Sequence, residues 1–211
     1  MNKALSDRSL AMHDTPIQPV SYDPANPRIT PRIAAELIAH EGIVTKAYRD
    51  SVGVWTWSVG LTDACGHRVG RYRDNPQPLE HCLGIYLWAL ERRYLPAVLR
   101  AFAGIAPQEH ELGAALSFHW NTGAIEKAEW MRRLRQGDRQ GARRAIMNWC
   151  RPVVLTRRRR LERALFFDAS WSNDGRALVY DVARPSYRPV RGRSIEILSV
   201  LERLMEQQAA N

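Results

Sequence analysis

Two neighbouring stretches decide the fold: Thr30-Pro31-Arg32-Ile33-Ala34-Ala35-Glu36-Leu37-Ile38-Ala39-His40-Glu41-Gly42, and Ala47-Tyr48-Arg49-Asp50-Ser51-Val52-Gly53-Val54-Trp55-Thr56-Trp57-Ser58-Val59-Gly60. In the first, Thr30 is an N-cap, Pro31 suits the first turn and Gly42 is a stop, which predicts a helix over 31–41. In the second, polar and apolar residues alternate on both sides of Gly53, which predicts a β-hairpin. Glu41 falls on the helix face of Ile33, Ala34, Leu37 and Ile38, whereas Arg32, Glu36 and His40 fall on the other. A carboxyl on the apolar face and at the helix C-terminus is driven toward its protonated form, as a general acid requires. A core ion pair with a buried arginine is the alternative use. With Ser51-Val52-Gly53 as a three-residue loop, Tyr48 faces Thr56 and Asp50 faces Val54, so Asp50 and Thr56 are diagonal neighbours able to hold one water. The alternative for Asp50 is an ordinary turn residue that bonds its own backbone.

Outward from this point the chain reads as helices at about 78–103 (bent near Pro96), 108–121, 125–136, 139–149 and 156–168. The class is α+β, mainly helical, with a small antiparallel hairpin lobe. Residues 1–29, with four prolines, read as a flexible lead-in, 30–170 as the domain itself and 171–211 as an extension. The extension carries a strand at Ala177–Val182 and, from Ser194, an amphipathic helix with Ile197, Leu198, Leu201, Leu204 and Met205 on one stripe.

The 211 residues carry a net charge of +9, and 28 of the 31 basic residues are arginine. Twelve arginines between Met131 and Arg163 stand against Asp138 and Glu162, an excess of ten that exceeds the charge of the whole chain. An anionic partner or a solvated helical face is implied. Only Trp149 interleaves this run with an aromatic ring, so nucleic acid is not expected. Three scattered cysteines fit neither a disulfide framework nor a metal site. No export signal and no membrane span is read.

One protonated and one ionised carboxyl are the equipment of glycoside hydrolysis. The run Glu41-Gly42, Ala47-Tyr48-Arg49-Asp50, Gly53-Val54-Trp55-Thr56, Gly60 and Thr62 resembles the catalytic signature of phage-type lysozymes and endolysins, glycoside hydrolase family 24. Ser117-Phe118-His119-Trp120-Asn121-Thr122-Gly123 is similar to the family's S-F-x-F-N-x-G helix, and Arg158-Arg159 with Glu162 to its R-R-x-x-E segment. Two positions depart: Ser58 replaces a glycine and Leu61 a histidine.

The resemblance implies a lysozyme-like fold and hydrolysis of the β-1,4 bond between N-acetylmuramic acid and N-acetylglucosamine in peptidoglycan. Glu41 would be the acid, with Asp50 and Thr56 activating water and Arg158 approaching Glu41. Tyr48, Asn121 and Arg158 are the expected substrate-side residues, and no metal or organic cofactor is required. Peptidoglycan is the expected partner, with the arginine-rich segment on the anionic wall and the protein a monomer. The family's habit implies synthesis in the host cytoplasm and release to the wall by a holin-type pore.

Overall fold

The computed structural model describes residues 22–210. Helix α1 covers Pro31–Glu41, the predicted span: the Thr30 hydroxyl accepts from Ile33 N, and Gly42 ends the helix at φ 73°. Strands β1 (Ile43–Arg49), β2 (Trp55–Ser58) and β3 (Leu61–Thr62) follow. The helical body comprises α2 (Leu79–Ala89), α3 (Leu95–Phe102), α4 (Glu109–Thr122), α5 (Glu129–Arg135), α6 (Arg139–Ala145) and α7 (Thr156–Asp168). A π-helical turn, Leu90–Tyr94, joins α2 to α3 just before Pro96. Proline lacks an amide donor and its ring crowds the carbonyl four residues back, so the widened turn is the local form of the expected bend. The core lies where α1, α4 and α7 pack, around Ile33, Leu37, Leu116, Phe118, Leu165 and Phe166.

The sheet is larger than a hairpin lobe and is mixed rather than antiparallel. Its order is β3-β2-β1-β4-β5, with β4 (Arg176–Val182) parallel to β1 and β5 (Pro189–Glu196) antiparallel to β4. Parallel neighbours need a long crossover. Here the crossover is the entire helical body, so no local pattern announces it. Strand β5 takes Ser194, the expected start of the last helix; α8 runs Leu198–Ala209, with Glu196 accepting from Leu198 N and Ser199 N. Helix α8 buries Leu201 and packs on α1 and α2.

Of the lead-in, residues 1–21 lie outside the described residues. Tyr22 and Ile29 pack on the core, and the Tyr22 hydroxyl donates to Pro107 O at 3.1 Å, so this portion is anchored rather than loose.

The polar face of α1 is covered as well. The Glu36 side chain, placed by its spacing on the outer face, is buried and accepts from Ser172 N, Ser172 Oγ and Asn173 N. Arg32 lies over the Trp171 ring at 4.2 Å.

Candidate active site

Glu41 closes α1, so its side chain leaves the helix where Gly42 turns the chain into β1. Its carboxylate is 24% exposed, and Oε1 accepts from Nη1 of Arg158. A Cβ built on Gly60 would lie 3.6 Å from Glu41 Oε2 and 3.9 Å from Trp120 Nε1. Arg158 therefore holds one carboxylate oxygen, and the other lies beside Gly60, a glycine at φ 82°. Helix spacing placed Glu41 on the apolar face, with an ion pair to a buried arginine as its alternative use; the structure has that ion pair, its guanidinium coming from 117 residues away.

Arg158 makes four hydrogen bonds. Besides Glu41 it donates to Glu162 Oε1 at 3.0 Å and to Ser117 O at 3.1 Å. Glu162 is fully buried; it accepts from Ser117 Oγ at 2.7 Å and from Arg159, which also donates to Asn121 Oδ1. Burial pushes the Glu162 carboxyl up, against the two arginines that favour its charge. Three motif pieces quoted separately from the sequence (Glu41, Ser117 with Asn121, and Arg158-Arg159-Glu162) are thus one hydrogen-bonded network. Asn121 serves it as a half-buried polar anchor, its carbonyl oxygen taken by Arg159.

The hairpin has the expected register: Tyr48 pairs with Thr56, and Asp50 N donates to Val54 O at 3.1 Å. Asp50 Oδ1 accepts from Val52 N at 3.0 Å and from Val54 N at 2.8 Å, the turn-residue role. Both bonds go to Oδ1, so Oδ2 is the oxygen left to meet a water. Thr56 is 4% exposed, and its hydroxyl donates to Val54 O at 3.2 Å. Tyr48 lies on β1, the strand that runs from Glu41 to Asp50. Its phenol is pushed up to about 12, first by burial and then by the negative charges of Glu41 and Asp50. Both negative charges therefore act on the one phenol.

Trp57 is fully buried, donates to Thr45 O and stacks on Tyr72 at 4.1 Å, so it is core. Ser58 is at φ 55°, a left-handed conformation suited to glycine, and its hydroxyl turns inward to Cys82 O at 2.9 Å. Its departure from the family pattern is thus absorbed in the body. Leu61, in place of histidine, is 1% exposed and pairs with Trp57 across β2 and β3. Among the described residues no group of three or more His, Cys, Asp or Glu is placed to hold a metal.

The sequence matches the profile of the family described as phage lysozyme over residues 38–162. The chain belongs to the phage lysozyme family. Membership makes it a peptidoglycan-cleaving enzyme, and the matched span contains every residue of the network above. No curated protein matches the sequence. Among solved structures, the chain is similar to an endolysin from Escherichia coli O157:H7 phage FAHEc1, at 23% identity and TM-score 0.59, over 68% of this chain and 94% of that one. It is similar to a mutant P22 lysozyme at 25% identity and TM-score 0.56, over 66% of this chain and 97% of that one. A third likeness is to the muramidase domain of SpmX from Asticaccaulis excentricus, at 21% identity and TM-score 0.52, over 66% and 97%. Each phage lysozyme relative is nearly spanned, while about a third of this chain lies outside the alignment.

Sequence reasoning missed Trp120, whose Nε1 shares the space beside Gly60 with Glu41. The signal was its place beside Asn121, one helical turn past Ser117, where the family pattern has phenylalanine. The arginine run is also more occupied than its charge suggests. Arg133 pairs with Glu129 and Asp138, Arg139 with Glu111, and Arg143 with Asp168.

Proposed function

We propose that this lysozyme hydrolyses the β-1,4 bond between N-acetylmuramic acid and N-acetylglucosamine with inversion at the anomeric carbon. Glu41 donates its proton from Oε2 to the departing glycosidic oxygen as the C1–O bond breaks. A water held by Asp50 and Thr56 attacks C1 from the opposite face, and Asp50 accepts the proton it loses. Arg158 touches Glu41 and is a positioning residue: by bonding Oε1 it aims Oε2 at the glycan. Tyr48, on β1, contacts the same glycan.

The reading is supported by the placement of Glu41 and Asp50 at the two ends of β1, with Tyr48 on that strand paired to Thr56 and feeling both negative charges. A lytic transglycosylase needs the acid but no activated water, and the Asp50–Thr56 pair favours the hydrolase. Mass spectrometry of digested, purified sacculi separates them. We expect reducing N-acetylmuramic acid ends, and anhydro-muramic ends would overturn the hydrolase.

The exposed Arg151, Arg157 and Arg160 form no salt bridge among the described residues and would hold the enzyme on anionic wall polymer. Lysis then weakens as salt rises; salt-independent binding to sacculi would remove that role. No helix among the described residues is long and apolar enough to cross a membrane. A monomeric enzyme reaching the wall through a holin-type pore, as the agent of host lysis, completes the proposal.

A further inference from the structure

The family match ends at residue 162, before β4 begins, yet β4 and β5 belong to the same sheet as the catalytic hairpin. Strand β1 is the only strand between Glu41 and Asp50: it starts two residues after one and ends one residue before the other. Its register against β2 is broken between Val44 and Tyr48, so the hairpin alone does not fix β1 along its length. The extension meets β1 at both ends from the other edge.

At the Glu41 end, Ile43 pairs with Val179 and Val44 with Tyr180. The Tyr180 ring lies against both Gly42 and Gly192, where an added Cβ would come within 2.6 Å and 2.7 Å of its carbons. One helical turn upstream, Ser172 and Asn173 grip the buried Glu36, and Asn173 Nδ2 donates to Ala35 O at 3.0 Å.

At the Asp50 end, Arg49 N donates to Tyr187 O at 2.8 Å, and the Tyr187 ring meets Trp55 edge-on at 5.1 Å. Trp55 is the cross-strand partner of Arg49 and lies next to Thr56. Arg184 bonds the Tyr187 hydroxyl at 3.0 Å and pairs with Asp74, tying this turn to the loop before α2.

We propose that residues 171–196 are a brace that sets the spacing of Glu41 from Asp50, with Tyr180 and Tyr187 as positioning residues at its two ends. A strand hydrogen-bonded along a bulged neighbour removes the sliding and bending freedom through which the two carboxyl groups would drift apart. A misplacement near 1 Å costs on the order of 100-fold in rate. The proposal rests on the acid and base roles given above.

The test uses the full chain with Tyr180→Leu, Tyr187→Ala and, as a control, Arg203→Ala, whose exposed pair with Glu80 lies away from β1. We expect kcat on purified sacculi to fall tenfold or more for each tyrosine variant, with KM within twofold and a changed pH–rate profile. Amide exchange over 43–56 should accelerate at least tenfold, and the control should match wild type. A lowered melting temperature with unchanged kcat and pH profile would show ordinary packing and overturn the brace. If wild type forms no reducing ends, the chemistry proposed above fails. Exchange then still decides the brace, since unaltered protection of 43–56 in both variants would overturn it.

Discussion

Glu36 and Glu41 lie five residues apart on one helix and are put to opposite uses. Glu36 is buried and closed off by three donors from the extension, so both its oxygens are spent on holding residues 172 and 173. Glu41 is half-buried; one oxygen is tied to Arg158 and the other lies beside Gly60. A buried carboxylate with its bonds filled is a structural fixture, and one left with a free oxygen is available for chemistry. Burial alone would pick Glu36.

The comparison breaks most visibly in activity. Glu41→Gln keeps the shape and a hydrogen bond to Arg158 but removes the acid, so turnover of sacculi should fall by about 1,000-fold or more with little change in melting. Residual clearing near wild type would end the acid role. Glu36→Ala should act on the fold instead. Losing the acceptor of three part-buried donors costs about 2 kcal/mol, read as a lower denaturant midpoint and earlier amide exchange at 171–176. A shift below about 1 kcal/mol would mean that the extension is held elsewhere.

A third residue of the same helix sharpens the contrast through pH. His40 is held down to about 4 by burial and by Arg158, Arg157 and Arg159. Because the folded chain disfavours its charge, the stability it contributes is complete above about pH 6.5. That contribution is lost as pH falls toward 4, a change of about 3 kcal/mol. Melting of wild type and His40→Gln between pH 7.5 and 4 checks this: the variant should flatten that part of the acid arm. The smallest effect is at Ser58. Ser58→Ala keeps the left-handed backbone and loses the bond to Cys82 O, costing about 1 kcal/mol. Ser58→Gly loses the bond but relieves about the same amount, for a change near zero in the denaturant midpoint.

What was legible in the sequence follows the reach of each signal. Helix α1 and the hairpin register are written locally, in Thr30-Pro31, Gly42 and the alternation around Gly53, and both stand as read. The apolar placement of Glu41 needs only helix periodicity. The burial of Glu36 was illegible because its cover, Ser172 and Asn173, arrives from 136 residues away. Strand β5 hid for another reason: as an exposed edge strand with Arg191, Gly192 and Arg193 at its centre, it has no apolar face to betray it. Arg158, one of four consecutive arginines, was singled out by resemblance. Periodicity alone does not say which of the four turns toward Ser117 and Glu41, since that depends on how α7 packs against α4.

The most direct test follows the anomeric proton by NMR in the first minutes of digestion of a soluble peptidoglycan fragment. Water activated by Asp50 on the face opposite Glu41 predicts that the new N-acetylmuramic acid end appears first as the α-anomer and then mutarotates. First appearance of the β-anomer would contradict the account.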